Sequence, residues 1–584
     1  MTQWLVLSVI FVPWLGALLL ALSSDRAPRL QHLVASAFAV VTGLLSLCLL
    51  PLVTERTVVS VAAGSVFGNF TFVPDGLSVF LTVIAAVIGC LAVIFSIDYM
   101  HGEAQLGRYY SLVLLFIGSM TGMVLTSSML LLFFFWEMMA FCSYALISFY
   151  NDDPKAVAGG MKALIMTQTG GVGLLAGALI AYSFLGTYDI QTFLAYAHRL
   201  PEFALSIMAF GFLIGAAAKS AQVPFHTWLP GAMEAPTPIS ALIHAATMVN
   251  AGVYLLARFY PAFAAVPGWT TAVVVVGVLS AFLGAVMAIT ASDLKRTLAY
   301  STISQLGYMV YAVGVGAVYA SQFHLMSHAV FKALLFLGAG AVIHAVGTRD
   351  MRQMGGLGQK MPFVRNVFII GTLALAGLPF VNGFWSKELV LEEGLAHGPL
   401  WAYILMVLGA GLTAAYSLRM VYMVFYGTAK KEHHVHDAPA AMRTALAPLA
   451  LGTLVTWLLA GWLSELLTGS LPYHLSHLHA PGTVELIVDV LTAPATLVAI
   501  VVIAAGLLAW WYRDLFASLS KAAALPAAMA GADFGFEWLN RVIVGSTLLA
   551  GSVLRLTQTG HLSWNALGIA GGAIAVLGLL VWGS

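Results

Sequence analysis

The chain has 584 residues, of which 61% are hydrophobic and only 8% are charged, and its formal net charge is +1. Soluble domains carry roughly 25% charged residues, so this composition excludes a soluble protein. The balanced charge also excludes a nucleic-acid-binding protein, because binding a polyanion requires an excess of basic residues.

Apolar runs of about 20 residues, long enough to cross a bilayer as a helix, recur along the whole sequence. We predict sixteen membrane spans, at residues 4–22, 31–53, 75–97, 110–127, 129–150, 160–184, 203–222, 239–257, 271–291, 297–317, 320–345, 364–385, 400–426, 445–468, 493–512 and 563–582. No basic segment precedes the first run, which we therefore interpret as an uncleaved membrane helix rather than a signal peptide. The predicted fold is an all-α polytopic membrane protein.

The spans fall into four predicted parts. These are helices 1–3 in residues 1–109, helices 4–8 in 110–258, helices 9–13 in 270–427, and helices 14–16 with a short connecting amphipathic helix in 428–584. A five-helix unit that repeats must return inverted in the membrane, as in many transporters. The fourth span of each middle unit is interrupted by a proline, Pro224 or Pro379. We therefore predict two inverted five-helix repeats with broken helices 7 and 12.

The loops predict the orientation in the membrane. Most Lys and Arg residues, Lys295 among them, follow odd-numbered spans, whereas Arg56, Arg199 and Arg258 lie on the other side. Basic loops stay in the cytoplasm. We therefore expect a multi-pass protein of the cytoplasmic membrane of a bacterium or archaeon, with its N-terminus and C-terminus outside. The connecting segment at 534–556 has an apolar face at helical spacing and is predicted to lie on the membrane surface or against a partner.

Four ionisable residues stand out in or beside the predicted spans: Glu137, Lys219, Lys332 and Lys387. A charge at the bilayer centre costs roughly 2.5–3.5 kcal/mol, so such residues usually mark an ion path. Lys219 precedes Pro224 by five residues, and Lys387 follows the break at Pro379. If Glu137 moves relative to Lys219, the proton affinity of the lysine changes, so this pair is predicted to act as an electrostatic switch.

Histidines extend this set of residues. His324, His328 and Lys332 are four residues apart and share one helix face. Imidazole accepts and donates protons near neutral pH, so this ladder favours proton transfer. A zinc site is the alternative for the two histidines, but no third ligand lies nearby in sequence. The predicted order of the path is Glu137, Lys219, His244, His328 with His324, Lys332 and Lys387.

No cofactor site is expected in this chain. It has no GxGxxG after a strand, no phosphate-binding loop and no CxxC, and its three cysteines lie in apolar runs. Two exposed histidine clusters resemble metal ligands but are expected to be solvated: His433, His434, His436 with Asp437, and His474, His477 with His479. If the predicted path moves protons against a gradient, the energy must then come from partner subunits or from another ion gradient.

The segments KSAQVPFHTWLPGAMEAPTPISALIHAATMV, SDLKRTLAYSTISQLGYM, HLMSHAVFKALLFL and GFWSKELV resemble the antiporter-like membrane subunits of respiratory complex I and of Mrp cation/proton antiporters. The resemblance covers about residues 67–426. The trailing GFEWLNRVIVG is similar to the C-terminal extension of the large members, subunit L of bacterial NADH:quinone oxidoreductase and the Mrp A subunit.

The resemblance implies half-channels at the broken helices and a central polar axis for protons. It also implies other antiporter-like and small membrane subunits as partners, peripheral redox subunits in the redox-driven complexes, the lipid bilayer, and no nucleic acid. The leading prediction is a proton-translocating subunit of a complex of complex I type, coupled to redox chemistry in partner subunits. The alternatives are the sodium/proton exchange subunit of an Mrp antiporter and the pump subunit of a hydrogenase-linked or inorganic-carbon uptake complex. A scaffold with vestigial charges is disfavoured because the charged set is complete. Two positions depart from the family pattern: Gly171 replaces an Asp common in complex I, and Asn250 replaces a Lys common in Mrp A.

Overall fold

The computed structural model describes residues 2–23, 27–55, 57–62, 64, 68–428, 435–468, 482–515, 524–556 and 571. The chain forms two compact units, Met1–Ala527 and Ala528–Ser584. The predicted span at 563–582, His433, His434 and the cluster of His474, His477 and His479 lie outside the described residues.

The N-terminal part contains three helices and a small hairpin. The helices are α1 (Thr2–Ala21), α2 (Pro28–Leu47) and α3 (Gly76–Tyr99), with a 3-10 turn at Leu50–Glu55. Strands β1 (Val59–Ala62) and β2 (Asn69–Phe72) pair antiparallel, with Val59 opposite Phe72. The sequence analysis missed this hairpin because each strand is only four residues long.

The next five predicted spans are helical, and the fourth is broken as expected. The segments are α4 (Leu106–Leu125), α5 (Met129–Ile147), α6 (Pro154–Leu185), α7 (Ile190–Tyr196), a 3-10 turn (Ala197–Arg199), α8 (Glu202–Lys219), a 3-10 turn (Phe225–Thr227), α9 (Trp228–Gly231), a 3-10 turn (Ala232–Glu234), α10 (Thr237–Ala241), a π-helical turn (Leu242–Ala246) and α11 (Met248–Phe263). Ser128 caps α5 by accepting a hydrogen bond from the Leu131 amide, which separates α4 from α5.

The following five spans are also helical, and again the fourth is broken. The segments are α12 (Trp269–Thr290), α13 (Leu294–Gly314), α14 (Val318–Val346), a 3-10 turn (Met351–Gln353), α15 (Pro362–Ala376), α16 (Asn382–His397), α17 (Leu400–Val421) and a π-helical turn (Tyr422–Tyr426). The break at 377–381 therefore divides the predicted span 364–385 between α15 and α16. The assignment of the two groups as inverted repeats remains a prediction.

The C-terminal helices include one that was not expected. The first unit ends with α18 (Ala440–Val455), a 3-10 turn (Thr456–Leu459), α19 (Ala460–Thr468), α20 (Thr483–Thr492) and α21 (Pro494–Trp511). Helix α22 (Ala524–Gly531) spans the unit boundary, and a 3-10 turn (Asp533–Gly535) and α23 (Phe536–Leu556) follow in the second unit. The predicted connecting helix corresponds to α23, whereas the ten-residue α20 was missed.

Thirteen described helices are long and apolar enough to cross a membrane, so the chain is an all-α polytopic membrane protein as predicted. Three predicted spans fall outside these thirteen: the one at 563–582, which the structure does not describe, and two within the described residues. Helix α15 has only 15 residues before the break. Helix α13 carries many hydroxyl side chains, yet nearly all its residues are buried, with Arg296 exposed. Its polar groups therefore face protein rather than lipid, as a polar span in a membrane requires.

Among the basic residues that were assigned to loops, Arg258 and Lys295 are buried in helices. Arg258 lies buried in α11 and forms an ion pair with Asp75 at the start of α3, which compensates its charge. Lys295 lies in the first turn of α13 and is 2% exposed. Neither residue is a free loop charge, so neither is sound evidence for the orientation of the chain.

Candidate functional site

Lys219 is the last residue of α8 and is completely buried. Its Nζ donates a hydrogen bond to the Trp136 carbonyl on α5 at 2.8 Å and lies 4.7 Å from the centre of the Trp136 ring. In the described part of the chain, Lys219 interacts electrostatically with Glu137 but forms no ion pair with it. Trp136, the chain neighbour of the predicted partner Glu137, thus holds the lysine through its backbone carbonyl and a cation–π contact.

Glu137 is half-buried between α5 and α6. Its carboxylate is hydrogen-bonded to Gln168 on α6, but Oε1 has no hydrogen-bond partner among the described residues. A Cβ atom at Gly171 would collide with this Oε1. The glycine that departs from the complex I pattern therefore leaves the space that the glutamate occupies.

The break after Lys219 is stabilised by side chains of other segments. The Ala218 carbonyl at the helix end accepts a hydrogen bond from Trp228 Nε1 at 2.9 Å, and the Val223 amide donates to Ser280 Oγ at 2.9 Å. Backbone groups at membrane depth must be satisfied inside the protein. The broken helix can therefore end at Lys219 without leaving these groups unpaired.

His244 lies in the π-helical turn and is completely buried. Thr247 Oγ1 donates to the Leu242 carbonyl at 2.6 Å, and Asn250 Nδ2 donates to the Ala245 carbonyl at 2.8 Å, so side chains satisfy the carbonyls of the widened turn. The asparagine that departs from the Mrp A pattern thus shapes the turn that holds the histidine. π-helical turns are frequent at functional sites.

The His244 ring lies between the two groups of helices. The centre of the His244 ring is 6.4 Å from that of Trp228, whose indole N–H donates to the carbonyl of Ala218 next to Lys219. It is 5.4 Å from the centre of the Phe336 ring, which lies one turn after Lys332 on α14. Neither ring nitrogen has a hydrogen-bond partner within the described chain. The histidine is therefore placed between Lys219 and the α14 ladder, with both nitrogens available.

The ladder on α14 is buried along its length. The His324 and His328 rings are 6.5 Å apart, and both residues are fully buried, as is Lys332. Lys332 Nζ donates to Ser301 Oγ and, at 3.4 Å, to the Leu298 carbonyl on α13. Among the described residues, no hydrogen-bond partner is found for either nitrogen of His328.

His324 connects the ladder to the second broken helix. Its Nδ1 is 3.0 Å from Ser386 Oγ on α16, and its Nε2 is 3.1 Å from Gln305 Oε1 on α13. Ser386 directly precedes Lys387 in the chain. The sequence analysis missed Gln305 and Ser386 because neutral polar residues are common in membrane helices.

Lys387 lies in the second turn of α16, after the break, and is 1% exposed. Its Nζ donates to the carbonyl of Ala376, the last residue of α15, at 2.8 Å. Gly377 follows with φ +77°, and a Cβ there would collide with the lysine amine. The neighbouring Glu388 is fully buried, and neither carboxylate oxygen has a hydrogen-bond partner in the described part of the protein. Sequence reasoning named Glu388 only as a neighbour and missed it as a site residue.

A cluster of ion pairs lies near the surface, where loops meet α13. Arg349 pairs with Glu234 at 3.0 Å and with Asp293 at 3.2 Å. In the same loop, hydrogen bonds from Arg352 lower the pKa of the Asp350 carboxyl. We call Glu234, Asp293 and Arg349 the surface cluster.

Buried amines, imidazoles and carboxylates of this kind can bind and release protons. Within the ranges that the structure describes, no three His, Cys, Asp or Glu side chains come together as a metal site would require.

Comparisons with known proteins connect this arrangement to a family. The family described as "NADH:quinone oxidoreductase/Mrp antiporter, TM" matches residues 126–413, and the family described as "NADH-Ubiquinone oxidoreductase (complex I), chain 5 N-terminus" matches residues 61–110. NADH-quinone oxidoreductase subunit L of Pseudomonas aeruginosa is 38% identical over 558 residues, covering 89% of this chain and 88% of the relative.

Two further matches are informative. NAD(P)H-quinone oxidoreductase chain 5 of Synechocystis sp. is 44% identical over 381 residues, covering 63% of this chain and 56% of the relative. In the solved structure of the Mrp complex from Dietzia sp., one chain matches with a TM-score of 0.83 and 29% identity, and the match covers 99% of this chain and 63% of that chain.

Proposed function

Because the chain belongs to the family of antiporter-like membrane subunits of NADH:quinone oxidoreductases and Mrp antiporters, we propose that it translocates protons within a multisubunit complex of the complex I type. The observation that carries the proposal is a row of ionisable side chains that are at most 1% exposed: Lys219, His244, His328, His324, Lys332, Lys387 and Glu388. Buried ionisable groups are costly in a membrane protein, and a row of them is typical of a proton relay.

The contacts support an order of transfer. Glu137 acts on Lys219 at one end, and Lys387 with Glu388 forms the other end. His244 stands between α9 and α14, and His324 bonds to Ser386 beside Lys387. Imidazoles can accept and donate within one step, so they suit the middle of the path, whereas each lysine holds a proton until the charge near it changes.

The driving force is proposed to come from partner subunits, because the residues described above provide proton-binding groups and no redox group. Moving one proton against about 100 mV requires roughly 2.3 kcal/mol. A change in the distance between Glu137 and Lys219 is the proposed point of coupling. The basic loops support an orientation with both termini outside the cytoplasmic membrane, which protease access to terminal tags in intact cells would test.

A sodium/proton exchange subunit of an Mrp-type antiporter is the second candidate. The observation that favours it is the Dietzia Mrp structure, which matches 99% of this chain. The two candidates differ in the source of energy, since an antiporter exchanges ions without electron transfer.

The test is ion flux in vesicles that contain the purified complex. We expect an electron donor and quinone to drive proton uptake without sodium, and Lys219→Ala to lower that uptake at least about tenfold, as loss of a proton-transfer group does. The Arg296→Ala variant, which changes an exposed residue, is the control. Sodium-dependent flux without a redox reaction would support the antiporter instead, and full uptake by Lys219→Ala would contradict the proposed path.

A further inference from the structure

Lys295 is a buried lysine that the proposed row does not include. It lies in the first turn of α13, is 2% exposed, and donates a hydrogen bond from Nζ to the Ala235 carbonyl at 2.6 Å. Its chain neighbour Arg296 is exposed. Two adjacent basic residues thus have opposite environments, and the ammonium group of Lys295 is buried although its desolvation is costly.

One set of interactions connects Lys295 with the surface cluster. Ala235 directly follows Glu234, and Asp293 precedes Lys295 by two residues. The side chains of Glu234, Asp293 and Arg349 are 15%, 21% and 33% exposed, so this cluster is reached by solvent. The carboxylates of Glu234 and Asp293 and the Arg349 guanidinium all interact electrostatically with the Lys295 amine.

A second set of interactions connects Lys295 with the middle of the row. Both Lys295 and Lys332 interact electrostatically with the His244 ring. Ala235, which accepts the hydrogen bond from Lys295, leads directly into α10 and the π-helical turn that carries His244. The two nitrogens of His244 have no hydrogen-bond partner in the described part of the chain. The lysine therefore interacts both with a solvated ion cluster and with a histidine whose ring nitrogens have no hydrogen-bond partner among the described residues.

We propose that Lys295 is a proton-exchange residue that connects the surface cluster with His244, as a branch that leads from the membrane surface into the middle of the row. The proposal rests on the proposed function. In each cycle the Lys295 ammonium gives a proton, through intervening water, to a His244 nitrogen and becomes a neutral amine. The amine then regains a proton from water at the surface cluster, so only protons move.

A purely structural role makes a different prediction. The hydrogen bond from Lys295 fixes the Ala235 carbonyl at the end of the 3-10 turn Ala232–Glu234, and an arginine could also donate it. An arginine does not release its proton, however, because the guanidinium group stays protonated in proteins. The Lys295→Arg variant therefore separates the two roles, because it can still donate a hydrogen bond to the Ala235 carbonyl but cannot release a proton.

The experiment measures proton uptake by the purified complex in vesicles for Lys295→Arg, Lys295→Met and Lys295→His, with Arg296→Ala as the matched control and Lys219→Ala as the reference. Gel filtration and thermal unfolding select variants that assemble. We expect Lys295→Arg and Lys295→Met to lower uptake about tenfold or more, and Lys295→His to retain more uptake than Lys295→Met, because histidine can release a proton.

Two results would overturn the inference while leaving the proposed function intact. They are wild-type uptake in the assembled Lys295→Arg variant, and equal uptake by assembled Lys295→His and Lys295→Met, in either case with Lys219→Ala inactive. If the Arg variant fails to assemble, the comparison of His with Met decides. Failure of the wild-type complex to move protons would instead contradict the proposed function itself, and full uptake by Lys219→Ala would contradict the proposed path.

Discussion

The Glu137 carboxylate occupies space that is open because residue 171 is glycine. The atom that a Cβ at Gly171 would meet is Oε1, the far end of a flexible side chain. An added methyl group would therefore displace the carboxylate rather than the helix backbone. Since Glu137 is the proposed charge that acts on Lys219, its position matters more for transport than for folding.

We expect Gly171→Ala to impair proton uptake several-fold while leaving the melting temperature of the complex nearly unchanged. The cost of moving Glu137 is offset by the higher helix propensity of alanine, about 1 kcal/mol. Gly545→Ala on α23 is the control, because a Cβ there meets no atom within 4 Å. Normal uptake by Gly171→Ala would show that the exact position of the Glu137 carboxylate is unimportant.

The sequence predicted the residues whose charge stands alone in an apolar run, such as Glu137 and Lys219. It missed Lys295 and Glu388 as site residues because each adjoins another charged residue, Arg296 or Lys387, and a pair of charges is typical of a loop. Burial is a tertiary property, so spacing along the chain did not show that Lys295 and Glu388 are buried.

At the scale of the helices, two of the buried lysines lie at helix ends. Lys387 donates to Ala376 at the end of α15, and Lys295 donates to Ala235 just after a 3-10 turn. Carbonyls at the C-terminal end of a helix carry partial negative charge and favour a cation. These carbonyls therefore supplement the nearby carboxylates, Glu388 for Lys387 and Glu234 with Asp293 for Lys295, in stabilising the two ammonium groups.

The prolines predicted both breaks, and apolar runs predicted the long helices, because these features act locally. The hairpin of β1 and β2 and the short α20 were missed because their runs are too short for a clear period. The π-helical turn at His244 depends on hydrogen bonds from the side chains of Thr247 and Asn250. It was not predicted because no periodic pattern of apolar residues marks such a turn.

A buried ion pair connects the N-terminal helices to the first five-helix group. Arg258 on α11 donates to both carboxylate oxygens of Asp75, the residue that caps α3. Removing one partner of a buried pair leaves an uncompensated charge and costs about 3–5 kcal/mol. We therefore expect Arg258→Met to lower the melting temperature of the purified protein markedly.

The double variant Asp75→Asn with Arg258→Met should regain more than half of the lost stability, because it buries no unpaired charge and asparagine can still cap α3. Thermal unfolding of the wild type, both single variants and the double variant completes the cycle. Additive losses in the double variant would indicate that Arg258 stabilises α11 by packing rather than through Asp75.

At the scale of the whole molecule, the row of buried residues joins both broken helices, with Lys219 at one break and Lys387 at the other. Contacts between His324 and Ser386, and the position of His244 between α9 and α14, connect the two groups of helices. A single path in series and two independent paths make different predictions for paired substitutions.

We expect Lys219→Ala and Lys387→Ala each to lower proton uptake at least about tenfold, and the double variant to be no worse than either, because one interruption blocks a path in series. Uptake per unit of assembled complex in vesicles is the measurement, and Arg513→Ala, an exposed change at the end of α21, is the control. Two independent paths would instead leave about half of the uptake in each single variant and abolish it only in the double. That outcome would be consistent with the proposed function. It would, however, divide the row at His244 into two proton paths, one at each broken helix.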